Sequence, residues 1–397
     1  MGYPLAGVRV VALEQAVAAP FCTRHLADLG ADVVKIERPD GGDFGRRYDT
    51  VVKGMSSYFV WLNRGKRSLT LDLKTEGGRQ LLARLLSEAD VFIQNLGPGV
   101  AERLGLGAAT LREQHLRLIV CELSGYGSTG PYRDRKAFDL LLQGESGLIS
   151  TTGSPDAPAK IGISIADISS GMYAFSSILA ALYDREKTGQ GRTIETVMLD
   201  CLSEWMSAPA AFWMYGGIKL ERAGWRHNII VPYGPYRCGD GQYVNLAVQN
   251  EGQWRRLCEG VLAQPDLLAD ARFQTNESRL NNRTVLEPLI EEILAPWDRA
   301  TVEQRLADAD VPFGSLNDVD DLVEHPQLAA RDRWLDVETP VGPIRALAHP
   351  LNLSEMPQRA DPVPALGQHT DEIASELGYS AEEIVALRAA GVIGPEA

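Results

Sequence analysis

Residues 8–37 read VRVVALEQAVAAPFCTRHLADLGADVVKIE, and this stretch decides the fold. Val8 to Glu14 is a short, β-branched apolar run, which reads as a strand rather than a helix. Ala18 to Gly30 spaces its apolar residues at helical intervals and stops at a glycine. Asp32 to Glu37 is a strand pattern again. Two strands separated by a helix, with no hairpin-length turn, lie parallel in one sheet.

The same alternation runs outward through Ser68 to Leu73, the amphipathic stretch Glu76 to Ala89, and strands at Val91 to Leu96 and Leu116 to Ser124. This is the pattern of a doubly wound, Rossmann-like α/β domain. After Ala166 the pattern becomes helical, from about Ile168 to Thr188, closed by Gly189-Gln190-Gly191, and then from Leu199 to about Tyr215. Both read as long linking helices. Tyr233 to Val248 has period-two alternation around Gly239-Asp240-Gly241, a hairpin that opens a smaller α+β domain. A second hairpin, Trp334 to Leu347, turns at Gly342-Pro343, and Ser380 with Glu383 forms a capping box.

A chain of 397 residues, 45% of them hydrophobic, can bury a large core, and its net charge of -14 disfavours nucleic acid or an anionic membrane surface as partner. No stretch reads as the roughly 18 to 20 apolar residues of a membrane span, and no cationic segment precedes an apolar one at the start. Five scattered cysteines without a CxxC pair fit reduced thiols in a cytoplasm. The histidines show no metal-ligand spacing, so no metal is expected.

Gly125 to Gly130 fits GxGxxG after a strand, but Pro131-Tyr132-Arg133-Asp134-Arg135 continues as a loop where dinucleotide binding needs a helix N-terminus. Asp167 precedes a long helical run. Its residues alone favour a helix N-cap, and the same position suits a carboxylate kept ionised by the helix dipole and able to act as a nucleophile. Arg38, Lys35, Arg46 and Arg47, with Lys66, Arg67, Lys74, Arg103 and Lys136, recur near strand ends of an acidic chain, which suggests an anionic ligand. Trp225, Arg226 and His227 precede the aromatic stretch Tyr233 to Tyr236, and residues 249–253 read as a polar loop and helix cap.

Several blocks together resemble the class III CoA-transferases, the CaiB/BaiF family. They are Ala31 to Pro39, Asn63 to Ser68 with Leu71-Asp72, Asn95 to Gly99, Ser124 to Pro131, Asp167 to Met172, Leu179 to Arg192, and Leu366 to Thr370. The resemblance implies a large α/β domain in residues 1–195, linking helices in 196–230, a small α+β domain in 231–325, and a return segment, 326–397, completing the large domain. It also implies an interlocked, ring-like homodimer. The family's CoA contacts fall on Val17, Arg38, Leu71, Lys74, Asn95, Leu96, Gly97, Arg103 and Lys136, and its nucleophile on Asp167. Coenzyme A thioester is then a substrate, with a carboxylic acid as acceptor and no tightly bound cofactor.

Departures from the family pattern at Val17, Phe138 and the shortened glycine loop Asn250-Glu251-Gly252-Gln253 argue against formyl and oxalyl groups. The stretch Arg226 to Tyr233 looks like that of members acting on C4 to C6 dicarboxylates of the succinyl or mesaconyl type. Arg46, Arg47, Arg226 and His227 are the expected clamp for the second carboxylate, with Phe138, Asn250, Glu251 and Gly252 completing the acyl site. Two alternatives stay open: a 2-methylacyl-CoA racemase, disfavoured because Phe138 cannot move protons, and a CoA-binding protein without catalysis.

Overall fold

The computed structural model describes residues 2–396, which divide into two compact units. The first comprises residues 2–148, 161–207 and 328–396, and the second residues 149–160 and 208–327. Residues 149–160, expected in the large domain, thus group with the smaller unit, as do residues 208–230.

In the first unit six strands form one sheet: β1 (Arg9–Leu13), β2 (Asp32–Glu37), β3 (Lys66–Thr70), β4 (Val91–Gln94), β5 (Ile119–Ser124) and β6 (Thr193–Val197). Their order is β3-β2-β1-β4-β5-β6, and each neighbouring pair is parallel. The order reverses direction between β1 and β4, which opens a crevice outside the carboxyl ends of the strands. Period-two alternation splits β1 between the two faces. Val10 and Ala12 pack with Cys22, Leu26 and Phe175, while Val11 and Leu13 pack with Leu81, Leu85 and Ile373. Burial on both faces explains why these strands read as continuous apolar runs.

The helix Ile165–Thr188 lies against the helix Ala18–Asp28. Gly171 permits this contact, since a Cβ there would stand 2.6 Å from the carbonyl oxygen of Ala18. This helix corrects the expectation that no stretch is apolar enough to span a membrane: by length and composition it is. Its apolar residues Ala174, Phe175, Ile178 and Leu182 belong to the core, which accounts for the composition. Its start, at Ile165, precedes the expected one at Ile168, and Gly189 ends it in a left-handed conformation as expected.

The expected helix from Leu199 to Tyr215 is two, Met198–Trp205 and Ser207–Gly216. Pro209 supplies the reason: it has no N–H for the carbonyl of Trp205, and its ring crowds that carbonyl. In the second unit, strands Tyr233–Arg237 and Tyr243–Ala247 pair antiparallel about the predicted glycine turn, and Phe313–Ser315 joins them. Val231, Tyr236, Trp254, Leu286 and Ile290 form part of its own core.

Candidate active site

The crevice holds two adjoining cavities, both built within the first unit. One, of about 250 Å³, is lined by Leu13, Gln15, Arg38, Leu71, Lys74 and Leu96 among others. The other, of about 260 Å³, is lined by Gln15, Ala16, Tyr48, Asn95, Leu96, Gly97, Lys136, Phe138, Asp167 and Met198 among others. Gln15 and Leu96 border both. Most of the lining comes from the segments after β1 to β5, as a doubly wound sheet dictates, while Asp167 is supplied by the helix Ile165–Thr188 and Met198 follows β6.

Of the expected CoA contacts, Arg38, Leu71, Lys74 and Leu96 therefore gather at the first cavity and Asn95, Gly97 and Lys136 at the second. Lys74, Arg103 and Lys136 are exposed, as is Arg38, which makes a 3.5 Å ion pair with exposed Asp40. Exposed cations at strand ends can meet phosphate. Arg103 stands on the short helix Val100–Arg103 and lines neither cavity. Val17 also lines neither: its side chain is buried with Phe21 and Leu62. Asn95 spends its amide on the backbone of Gln15, accepting from its N–H at 2.9 Å and donating to its carbonyl at 2.9 Å.

Several cations expected to be free are committed. Lys35 and Lys66 are buried and bound to Glu14, and Lys35 also to Asp43. Arg67 is paired with Asp32, Glu372 and Glu376. Arg46 grips both oxygens of Glu37, at 2.8 and 2.7 Å, and lies over the Phe59 ring, and Arg47 donates to the carbonyl of Gly41.

In the second unit Arg226 binds Glu287 and Glu291, and His227 stacks on Tyr233 while its Nδ1 accepts from the amides of Ile229 and Ile230. A guanidinium with two carboxylates in hand cannot clamp a third without losing one. Each of the four residues of the clamp expected from sequence thus has a partner within its own unit. Asn250 is the N-cap of the helix Glu251–Arg256, Glu251 is bound in both oxygens by Arg279, and Gly252 lies in that helix's first turn.

Asp167 is not the N-cap of its helix; Ser164 is, and it makes no side-chain cap bond. Asp167 is the third helical residue. The capping is done from another helix: Asp139, which opens Asp139–Glu145, accepts the Ala166 amide at 2.8 Å on one oxygen and the Gln143 amide at 2.8 Å on the other. Gln143, fully buried, also accepts the Ile161 amide at 2.9 Å. Asp139 and Gln143 thereby fix the start of the helix.

Among the described residues no hydrogen-bond donor reaches the Asp167 carboxylate. Burial, followed by the charge of Asp139, pushes its pKa up to about 7. The expectation of an ordinarily ionised carboxylate at the helix start is corrected: loss of water and a like charge raise its pKa. The result is a carboxylate about half charged near neutral pH, bare and facing a cavity. Such a group is a competent nucleophile, because no donor must be stripped from it before attack.

Sequence reasoning missed Gln15, Ala16, Tyr48, Asp139 and Met198. For Gln15 and Ala16 a signal existed, since they follow the first strand at the switch point, where lining residues are expected. Asp139 carried no comparable signal, because its partner amides lie 27 and 4 residues away.

Three comparisons bear on this geometry. The model of CoA-transferase family III matches residues 5–370. A succinate–glutarate CoA-transferase of Agrobacterium fabrum is 35% identical over 384 residues, covering 94% of this chain and 96% of the relative. A human succinyl-CoA:glutarate CoA-transferase is 32% identical over 400 residues, covering 98% and 90%. The crystal structure of a CaiB/BaiF family protein from Brucella suis is 38% identical, with a TM-score of 0.82, over 95% of this chain and all of that one.

Proposed function

Because the chain belongs to CoA-transferase family III, we propose that it exchanges CoA between short dicarboxylic acids through a covalent thioester on Asp167. The bare carboxylate in a cavity adjoining a second, cation-rimmed cavity is the observation that carries this reading. Two of the relatives are named for succinate and glutarate, which supports dicarboxylates as the substrate class.

In this mechanism the ionised Asp167 attacks the thioester carbonyl of the donor, giving a mixed anhydride and CoA thiolate. The thiolate attacks the aspartyl carbon, and the donor leaves as its free carboxylate. The acceptor carboxylate attacks the aspartyl thioester and expels CoA thiolate, which then takes the acceptor acyl group and returns Asp167 as a carboxylate. Each step breaks one activated acyl bond as it forms another, and the aspartyl thioester keeps the activation of the donor thioester between the two half-reactions. Arg38 and Lys74 at the first cavity, and Lys136 at the second, suit the phosphates of CoA.

With Arg46, Arg47, Arg226 and His227 otherwise engaged, the second carboxylate of the acceptor falls to Arg133 and Arg135, which line the Asp167 cavity. Their own partners are weak competitors: Arg133 meets exposed Asp134 at 3.3 Å, and Arg135 meets Glu145 at 3.6 Å. Racemase chemistry needs two bases flanking one carbon, and among the described residues the cavity lining has no histidine and no carboxylate besides Asp167.

The functional form in this reading is the interlocked homodimer. In its support, the helix Ser207–Gly216 buries none of its residues in the single chain, leaving Trp213, Met214 and Tyr215 exposed. Sedimentation should show a dimer at micromolar concentration. For the reaction, succinyl-CoA is offered to glutarate, mesaconate, oxalate and butyrate, with products read by mass. Dicarboxylates of four to six carbons should win. Butyrate turning over with a comparable kcat/KM would sink the second-carboxylate reading.

A further inference from the structure

Ala16 borders the Asp167 cavity in a conformation that an alanine does not choose. Its φ is +62°, in the left-handed region, yet the residue is not glycine. Strain of this kind persists only where the surroundings enforce it. Two side chains from other strand ends do so. Asn95, after β4, holds the N–H and carbonyl of Gln15. Asp43, after β2, accepts the Ala16 N–H on Oδ1 at 3.0 Å, along with the Gly45 N–H at 2.8 Å.

The second oxygen of Asp43 is bound by Lys35 at 2.9 Å, and Lys35 in turn contacts Glu14 at 3.3 Å. Glu14 also binds Lys66 at 2.7 Å and Thr23 at 2.7 Å. These groups are all buried, so the two cations and two anions neutralise one another out of water. The approach is tight as well. A Cβ on Gly45 would lie 3.2 Å from Asp43 Oδ1 and 3.7 Å from the Ala16 Cα. The side chain of Ala16 packs in one cluster with Ile168, the neighbour of Asp167.

We propose that Asp43 is a positioning residue for the transfer reaction: anchored by Lys35, it holds Ala16 left-handed and so sets the cavity wall that the acyl group meets when Asp167 attacks. The proposal rests on the nucleophile reading of Asp167. A residue that only stabilises the fold would cost stability whatever stands at position 16. A residue that holds strain at position 16 matters less once that strain is gone, because glycine takes a positive φ unaided.

The test is a double-mutant cycle on the full-length protein. Asp43→Asn should lower kcat about 10- to 100-fold, the scale of a misplaced reacting group. The acyl-CoA KM should change by less than about threefold. In an Ala16→Gly background the same substitution should cost less than about threefold in kcat. Equal losses in both backgrounds, no loss, or a loss carried by KM overturns the proposal. If Asp43→Asn does not fold, Asp43→Glu keeps the charge that Lys35 needs and must show the same dependence on residue 16, equal losses again overturning it. An Asp167→Ala variant that still transfers CoA would refute the nucleophile, an outcome separate from the coupling between residues 43 and 16.

Discussion

Glu37, buried, and Asp167, half-buried, are two carboxylates of one unit with opposite fates. Glu37 receives the guanidinium of Arg46 on both oxygens, the hydroxyl of Ser68 at 2.6 Å and the amide of Asp43 at 3.0 Å. Burial pushes its pKa up, but the hydrogen bonds and charge of Arg46 prevail and bring it down to about 2. Asp167 receives no such donor among the described residues, and burial with the charge of Asp139 takes it up to about 7. Burial alone therefore does not decide ionisation. Partners do: Glu37, at the lining of the first cavity, is held by its donors, while Asp167, at the second, is left without them.

Removing a partner from Glu37 should have the largest effect on stability. Arg46→Met leaves a buried anion unpaired and should cost about 3–5 kcal/mol, read by chemical denaturation at pH 7. A loss below about 1 kcal/mol would mean that water reaches Glu37 and that its contrast with Asp167 is overstated.

Asp167→Asn should act in the opposite direction. An aspartate in the unfolded chain releases its proton near pH 4, whereas the folded one holds it until about pH 7. Wild-type stability is therefore lost as pH rises between these values and stays reduced above them. Asparagine lacks that penalty, so the variant should gain about 1–3 kcal/mol at pH 8 and little at pH 4. For Glu37 the sign is reversed: its contribution is present above the unfolded pKa and fades as pH falls towards about 2. A gain for Asp167→Asn that is the same at pH 4 and pH 8 would remove ionisation from the explanation.

Asp139→Asn gives the smallest expected effect and the finest resolution. It keeps an oxygen for the Ala166 amide but deletes the like charge, the lesser of the two causes behind the raised Asp167 pKa. The acid limb of the kcat/KM profile should move to lower pH by about half a unit. An unmoved limb would assign the whole shift to burial.

The parallel sheet was legible from residues 8–37 because strand–helix–strand alternation leaves few topologies. The cation rim was legible at Arg38 and Lys74, since loop positions after strands follow from the sheet. Lys35, Lys66 and Arg46 were misread for a physical reason: sequence shows a charge but not its partner, and Glu14, Asp43 and Glu37 had already taken them. The setting of Asp167 was invisible for the same reason. Its environment is set by burial and by Asp139, whose contact with the start of the helix arises only in the fold.

In the proposed reaction Asp167 itself carries CoA. Enzyme is mixed with succinyl-CoA without acceptor, quenched with borohydride or hydroxylamine, and its peptides are mapped by mass spectrometry beside Asp167→Asn and Asp167→Ala. Modification is expected at Asp167 in the wild type and in neither variant, with loss of transfer in Asp167→Ala by about a thousandfold or more. Modification at another carboxylate, or near-normal exchange by Asp167→Ala, would contradict it.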